Sequence, residues 1–156
     1  MGTVTRTKFQ RNRPIDAYLL RLQASNTSGD TARYPSSQNI GQDPFYRLFI
    51  PGVLSYRKTD ALTPQEFQIE MTGQGTDVVL WSRYFLAADV TPTAAIGEEW
   101  QSGSNRLSMY GAVPSGIIPP GVALQVSTQL NSNPSDIRLD LLMFESLDPD
   151  ELRALI

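Results

Sequence analysis

The chain has 156 residues, of which 40% are hydrophobic and 19% are charged, and it contains no cysteine and no histidine. A chain of this length is typical of a single domain with one hydrophobic core. The two missing residue types exclude a disulfide framework, a thiolate-bound metal and every catalytic triad or dyad that uses histidine or cysteine.

Positive charge is concentrated at the beginning of the chain. Residues 1–13 contain no acid and four cations, which are Arg6, Lys8, Arg11 and Arg13. This segment therefore carries +4, which leaves −7 on the remaining residues although the whole chain is only −3. Only Val4 and Phe9 offer apolar surface here, so we predict a flexible basic N-terminal arm over residues 1–13 and a β-sandwich domain over residues 14–147.

The first part of the domain is predicted to contain two strands and a long loop. Residues 14–24 fit both helical and strand spacing, and we favour a strand because the other predicted strands need partners. A loop over residues 25–44 follows, and it includes Tyr34. Residues 45–56 are rich in apolar side chains but are interrupted by a Pro-Gly pair at 51–52, which predicts two short strands or one strand bent at a bulge.

Two strands and a tight turn are predicted in the middle of the chain. Residues 67–72 alternate apolar and polar side chains, as in a strand with one buried face. The Gly-Gln-Gly turn at 73–75 leads into residues 78–88, the most hydrophobic run, which has apolar side chains on both faces. Such a pattern is typical of a strand covered on both sides, so we predict a central strand or a strand sandwiched between layers.

A second long loop is predicted over residues 89–105. A Thr-Pro pair at 91–92 is compatible with the cap of a short helix that carries Ile96 and Trp100. Residues 106–113 then alternate again, which predicts another strand.

The clearest alternation lies near the C-terminus. Residues 122–130 and 137–144 both alternate with period two around an Asn-Ser-Asn-Pro-Ser turn at 131–135, which predicts a β-hairpin. Apolar side chains on both faces at the end of the second arm indicate that this end is covered on both sides. An Asp-Pro-Asp-Glu sequence then predicts a short C-terminal helix within residues 148–156.

These elements together predict an all-β fold. Seven or eight short strands are separated by turns rich in Pro, Gly, Asn and Ser, and no helices alternate with them. The expected architecture is a two-sheet antiparallel sandwich of the jelly-roll or Greek-key type, with an extended N-terminal arm and a short C-terminal helix.

The chain offers few candidates for catalysis. A Ser-Lys dyad would have to use Lys8 or Lys58, and neither lies in a recognisable motif. Glu98 and Glu99 precede Trp100, and paired carboxylates carry out glycoside hydrolysis, but adjacent acids in a loop are more often a solvated surface. No stretch has the spaced Asp and Asn ligands of a calcium loop. We therefore expect no enzymatic activity, no cofactor and no metal.

The basic arm has two candidate partners. Four cations within the arm can neutralise the phosphates of a nucleic acid, but only Phe9 is available there for base stacking. The alternative is that the arm lies over an acidic neighbouring subunit. Because the other residues sum to −7, this alternative is at least as well supported.

This layout resembles that of the small structural proteins of viruses and tailed phages. The shared features are a basic extended arm, a β-sandwich without cysteine or histidine, long loops and a short C-terminal element. The resemblance implies a minor capsid, decoration, penton or head-tail joining protein, which is assembled in the host cytoplasm into the virion and binds copies of itself and other virion proteins. No stretch predicts a membrane span or a secretion signal. The alternative is a ligand-binding β-sandwich, such as a carbohydrate-binding or receptor-binding module with exposed aromatic side chains.

The side chains predicted to contact neighbouring subunits lie in the arm and in the two long loops. An arm with so little apolar surface does not offset its ordering cost of roughly 1–2 kcal/mol per residue, so it needs a partner. The interface candidates are Arg6, Lys8, Phe9, Arg11, Arg13, Tyr34, Ile96 and Trp100.

Overall fold

The computed structural model describes most of the chain. The described residues are 2–12, 15–25, 30–36, 42–58, 63–73, 75–89, 94–101, 106–111, 113–129 and 135–156. In this part the chain forms eleven strands and one short helix. They are β1 (Thr3–Asn12), β2 (Ile15–Ser25), β3 (Thr31–Tyr34), β4 (Tyr46–Lys58), β5 (Gln65–Gly73), β6 (Thr76–Phe85), β7 (Glu99–Trp100), β8 (Leu107–Tyr110), β9 (Gly116–Ile118), β10 (Ala123–Gln129), β11 (Ser135–Ser146) and α1 (Pro149–Arg153).

The strands form two antiparallel sheets with a shared core. The larger sheet has the order β1-β2-β11-β4-β8-β7, with β9 also paired to β4, and the smaller sheet has the order β3-β10-β5-β6. The prediction of an all-β, two-sheet antiparallel sandwich is therefore confirmed. The C-terminal helix is confirmed as well, and the side chain of Asp148 caps it by accepting a hydrogen bond of 2.9 Å from the N–H of Asp150.

A cluster of aromatic rings joins the two sheets on one side of the core. The ring of Tyr56 in β4 lies 5.6 Å from that of Phe67, 5.1 Å from Trp81 and 6.0 Å from Phe85, measured between centroids. Ring pairs of this kind add about 0.5–1.5 kcal/mol each beyond the burial of their surface. The cluster therefore fixes β4 of the larger sheet against β5 and β6 of the smaller one.

Several strands confirm predictions that rest on local sequence. β2, β5 and β8 correspond to the strands predicted from residues 14–24, 67–72 and 106–113. β4 is a single strand whose register with β11 shifts between Leu139 and Leu141. This irregularity confirms a strand bent at a bulge around residues 51–52.

The predicted hairpin between residues 122–130 and 137–144 is wrong, although both strands exist as β10 and β11. β10 pairs with β3 and β5 in the smaller sheet, whereas β11 pairs with β2 and β4 in the larger sheet. The two strands face each other across the core. Alternation identifies the buried face of a strand but not its hydrogen-bonded neighbours, which is why the pattern did not reveal the crossover.

The predicted central strand over residues 78–88 is also wrong, because β6 is the last strand of the smaller sheet. Among the described strands, only β5 pairs with it. The register between β5 and β6 shifts at Leu80, which is an extra residue in β6. Trp81 consequently lies opposite Ile69, a core residue of β5, and Val78 lies opposite Met71, which packs against the core. This bulge explains why apolar residues occupy both alternating positions in the sequence.

The predicted flexible arm over residues 1–13 is corrected for residues 3–12, which form β1 at the edge of the larger sheet. β1 pairs antiparallel with β2 along nearly its whole length. The backbone hydrogen bonds of such a pair do not require apolar side chains, and β-branched Thr3, Thr5 and Thr7 favour extended backbone. The segment is therefore a strand of the sandwich and not an arm separate from it.

Both predicted long loops contain short strands. β3 interrupts the loop predicted over residues 25–44, and β7 interrupts the one predicted over residues 89–105. Residues 94–101 form a turn followed by β7, so the helix that was expected to carry Ile96 and Trp100 is absent from these residues.

Candidate interaction surface

One side of the sandwich is formed by β6 from the smaller sheet and by β7 and β8 from the larger sheet. Arg83 in β6 reaches the residues before β7, because its Nε lies 3.0 Å from Oε2 of Glu98. Trp81 in β6 packs against Tyr56 in β4, the neighbour of β8. We call this surface, which consists of β6, Leu86, residues 94–101 and β8, the open side.

Large apolar side chains are exposed along the open side. Ile96 is fully exposed, and the others are between about a third and three quarters exposed. Val79 and Tyr84 lie on the outer face of the smaller sheet and Tyr110 on the outer face of the larger sheet, so these side chains border one edge of the sandwich from both faces. Large exposed apolar side chains are candidates for contact with another protein. Those of the open side are Val78, Val79, Tyr84, Leu86, Ile96, Trp100 and Tyr110.

The turn that carries Ile96 is held in place by the buried carboxylate of Glu98. Its Oε1 accepts a hydrogen bond of 2.7 Å from the N–H of Ala95, and its Oε2 accepts from Nε of Arg83 and from the hydroxyl of Tyr56. Glu99, the next residue, is exposed. The expectation that both acids form a solvated surface is therefore correct for Glu99 and wrong for Glu98.

A second polar cluster lies on the opposite side of the sandwich. Its centre is the buried guanidinium of Arg47, whose two terminal nitrogens lie 2.8 and 3.0 Å from the carboxylate oxygens of Asp43. The Nε of Arg47 donates to Glu145 at 2.6 Å. Tyr34 donates to the same carboxylate at 3.1 Å and accepts from Arg6 at 2.7 Å. We call these five residues the Arg47 cluster.

Burial and the Glu145 carboxylate raise the pKa of the Tyr34 hydroxyl above its ordinary value, so this group stays protonated and acts as a donor. Burial alone would raise the pKa of Asp43 as well. Hydrogen bonds from Arg47 and from the N–H of Gly121 outweigh that effect and hold the pKa of Asp43 below its ordinary value of 3.8. The cluster is thus built to keep Asp43 ionised.

This depressed pKa predicts a loss of stability in acid. A carboxyl group whose pKa is lower in the folded state stabilises the fold above its unfolded pKa, and that contribution disappears as the pH falls through the folded value. We expect the free energy of unfolding to decline below about pH 4. Urea unfolding between about pH 7 and pH 2 measures this decline. The variant Asp43→Asn should be less stable at neutral pH and decline less steeply, and equal slopes for the two proteins would contradict the prediction.

The structure divides the predicted interface candidates between the two sides. Ile96 and Trp100 lie on the open side, whereas Arg6 and Tyr34 belong to the Arg47 cluster. Lys8 lies nearby and its ammonium is 3.1 Å from the carboxylate of Asp16. The side chains of Phe9 and Arg11, and the whole of Arg13, lie outside the described residues.

Two of the arm's cations, Arg6 and Lys8, have partners within the chain itself. Arg6 is bound to Tyr34 and lies 4.6 Å from the ring centroid of Tyr18, and Lys8 is paired with Asp16. These contacts already pair the two positive charges that a nucleic acid or an acidic neighbouring subunit would bind. They weaken both interpretations of the arm for these two residues.

Two groups of residues were missed by the sequence interpretation. The sequence predicts that the side chains of β6 are buried, whereas Val78, Val79 and Tyr84 are exposed. The apolar run alone does not show whether its strand lies at the edge or in the centre of a sheet. The sequence prediction also omits Arg47 and Glu145, which are single charges inside apolar strands. A charge at such a position is itself a signal, because it must be paired when the strand is buried.

The outer face of the larger sheet carries a groove with a volume of about 450 Å³. Its surface is mainly apolar, and the exposed ion pair between Arg21 and Asp140, 2.7 Å apart, lies in its wall. None of the described residues that line the groove is aromatic, and stacking on aromatic rings is the usual way in which a protein binds a sugar. The lining residues are Thr5, Thr7, Leu19, Leu20, Arg21, Ile50, Pro51, Gly52, Val53, Asp140, Leu141 and Leu142.

No protein-family model matches the chain, and no curated protein matches its sequence significantly. Within the described residues, no helix is long and apolar enough to cross a membrane. Within the same residues, no three acidic side chains are grouped closely enough to hold a metal ion.

Proposed function

We propose that this chain is a non-enzymatic structural subunit of a viral or phage particle, which acts by binding copies of itself and other virion proteins. The observation that carries the proposal is the exposure of large apolar side chains along the open side. Exposure of this kind costs free energy in water and is relieved when a second protein covers it. We place the contact surface on the open side, which contains Ile96 and Trp100, two of the side chains that the sequence favoured alongside the basic N-terminal segment.

The geometry of Ile96 supports this role. Its side chain is fully exposed, yet the turn that carries it is fixed by the buried Glu98 carboxylate and its three donors. An apolar side chain on a rigid turn loses little conformational freedom when it binds, so it is suited to a subunit contact. The same carboxylate is fully engaged within the chain, which leaves it poorly placed to act with Glu99 in hydrolysis.

The virion assignment within this proposal rests on layout. The chain combines a β-sandwich, a basic first strand and a short C-terminal helix, and in this it resembles minor capsid, decoration, penton and head-tail joining proteins. Such proteins work through contacts between subunits, which agrees with the apolar open side. Closed rotational symmetry is the expected arrangement of identical copies.

Replacing Ile96→Asp tests the proposal. Because Ile96 makes no buried contact, the substitution should change the free energy of unfolding by no more than about 0.5 kcal/mol. A carboxylate placed in an apolar subunit contact should weaken association about tenfold or more. Light scattering during gel filtration, at several concentrations in low and high salt, measures the particle mass.

Leu147→Asp is the matched control, because Leu147 is 65% exposed but lies between β11 and α1, away from the open side. We expect this variant to associate like the wild type. A wild-type protein that is monomeric at every concentration in both salts would contradict the assembly role, and a ligand-binding sandwich would then be the better hypothesis. Equal association of the two variants would place the subunit contact elsewhere.

A further inference from the structure

The outer face of the larger sheet carries a group of arginines where β4, β8 and β11 lie side by side. Arg138 in β11 lies opposite Ser55 in β4, and Asp136 lies opposite Arg57. These side chains face outward, because the residues that alternate with them in the two strands belong to the core. Arg106, which precedes β8, donates to the hydroxyl of Ser55 at 3.0 Å and to the carboxylate of Asp136. We call these five residues the Arg106 cluster.

The Arg106 cluster contains more positive than negative charge. Nε of Arg57 lies 3.2 Å from one carboxylate oxygen of Asp136, and Arg106 binds the other oxygen. Among the described residues, Arg138 has no acidic partner. Three positive charges therefore share one negative charge, which leaves a net charge of +2. Burial lowers the pKa of Arg106, and the positive charges of Arg138 and Arg57 act in the same direction, so the three guanidiniums lie close enough to repel one another.

Two polar groups at the cluster are buried without a hydrogen-bond partner in the described part of the chain. They are the Nε–H of Arg138 and the hydroxyl of Ser108. Ser108 is only 8% exposed and lies opposite Ser55 in the pairing of β4 with β8. It faces outward, because its two neighbours in β8 belong to the core or pack against it. Buried polar groups are normally hydrogen-bonded, so two orphan donors beside surplus positive charge are the features of a site for an anionic acceptor.

We propose that the Arg106 cluster and Ser108 bind a phosphate dianion, either the free ion or the phosphate of a monoester. The ligand accepts hydrogen bonds from Arg138 and Ser108, which lie on the two sides of Ser55 in the sheet. A phosphate carries about −1.5 to −2 at pH 7, which matches the net charge of the cluster. The planar guanidinium is also well suited to phosphate oxygens. Arg57, whose side chain is 41% exposed, connects the site to solvent.

The acids nearest to the cluster do not cancel its charge. Asp140 lies on the same face of β11 as Arg138, but it forms an ion pair with Arg21. Glu99 lies opposite Ser108 in the pairing of β7 with β8, yet it is exposed to water, which screens its charge. Two strands, β8 and β4, separate it from Arg138. The site therefore retains enough positive charge to favour a dianion over a monoanion. It lies within a single copy of the chain and does not depend on the assembly role proposed above.

Arg138→Gln tests the site, with Arg33→Gln as its matched control. Arg33 is also a partly buried arginine, but it lies in β3 of the smaller sheet, so the two variants lose the same charge at different places. Titration with inorganic phosphate at constant ionic strength, followed by amide NMR shifts, measures the dissociation constant. We expect saturating shifts in β4, β8 and β11 of the wild type. The dissociation constant should rise at least about tenfold for Arg138→Gln and stay unchanged for Arg33→Gln.

Ser108→Ala gives a readout that a purely structural role would not produce. Because the hydroxyl has no partner among the described residues, its removal should leave the free energy of unfolding unchanged or raise it. Phosphate affinity should nevertheless fall at least about threefold. Ser127→Ala is the control, since the hydroxyl of Ser127 in β10 is likewise buried without a described partner. This variant should bind phosphate like the wild type.

Two organic probes define the ligand. Glycerol phosphate is a monoester dianion, and dimethyl phosphate is a diester monoanion that should bind at least about fivefold more weakly than inorganic phosphate. Binding of glycerol phosphate together with inorganic phosphate assigns the site to a monoester, whereas binding of inorganic phosphate alone assigns it to the free ion. A diester that binds as tightly as inorganic phosphate overturns the choice of a dianion.

Three results would overturn the site itself. The first is a wild type whose resonances show no saturating shift with phosphate. The second is equal weakening by Arg138→Gln and Arg33→Gln, because binding would then follow the net charge of the protein. The third is a Ser108→Ala variant that binds phosphate as tightly as the wild type, because the orphan hydroxyl would then take no part in binding.

Discussion

Arg47→Met is expected to lower the free energy of unfolding by about 3–5 kcal/mol, because it removes the cation from a buried ion-pair cluster. The guanidinium contacts Asp43 through both terminal nitrogens and Glu145 through Nε, and the arginine is only 5% exposed. Methionine can fill much of the space but offers no donor. Two carboxylates would remain in a largely water-excluded site without their partner.

The location of the cluster adds to the expected loss. Its members come from β1, β3, β4 and β11 and, for Asp43, from the segment that precedes β4, so they connect both sheets. Asp43 also accepts a hydrogen bond of 2.9 Å from the N–H of Gly121, which precedes β10. Loss of the arginine therefore weakens contacts between segments that are far apart in the sequence.

Arg21→Met is the matched control for this prediction. Arg21 binds Asp140 through two nitrogens at 2.7 and 3.0 Å, but this pair is more than 40% exposed on both sides. Exposed ion pairs contribute about 0–1 kcal/mol, so the control should lose no more than that. Urea unfolding followed by circular dichroism measures both variants. Equal losses for Arg47→Met and Arg21→Met would show that the buried cluster stabilises the fold no more than an exposed ion pair does.

Local sequence patterns predicted the strands and the helix but not their pairing. β5 and β11 are recognisable because their alternating side chains match a strand with one buried face. Asp148 and Pro149 likewise determine the start of α1 through contacts within a few residues. β10 and β11 look like the arms of a hairpin, yet they lie in different sheets. The same alternation occurs in two strands that are hydrogen-bonded neighbours and in two strands that face each other across the core.

The interaction surface was predicted only in part for a related reason. Ile96 and Trp100 were selected because they lie in a long connection with little to bury, and the structure places both on the open side. The sequence predicts a buried strand at Val78 and Val79, but β6 is an edge strand with a bulge at Leu80. An edge strand with such a bulge and a central strand without one have the same apolar pattern in the sequence. Whether a strand lies at an edge depends on the order of the whole sheet, and no short window of sequence contains that order.

The last prediction concerns Glu98, whose carboxylate connects the turn of the open side to the core. Glu98→Ala should lower the free energy of unfolding by about 2–3 kcal/mol, because the buried hydroxyl of Tyr56 and the N–H of Ala95 lose their acceptor. Arg83 loses its ion pair as well, but its side chain is 26% exposed and can turn to water. The turn that carries Ile96 should also loosen, since it is anchored by the bond from Ala95.

Glu99→Ala separates this effect from a general effect of removing an acid. Glu99 is the adjacent residue and is exposed. Its replacement should therefore change the free energy of unfolding by no more than about 0.5 kcal/mol. Urea unfolding gives the stabilities, and amide hydrogen exchange of residues 94–101 reports the loosening of the turn. We expect faster exchange and weaker self-association for Glu98→Ala only, because an apolar contact held on a mobile turn must be ordered again when it binds. If both variants lose stability equally, or if Glu98→Ala exchanges like the wild type, the buried carboxylate does not position the open side.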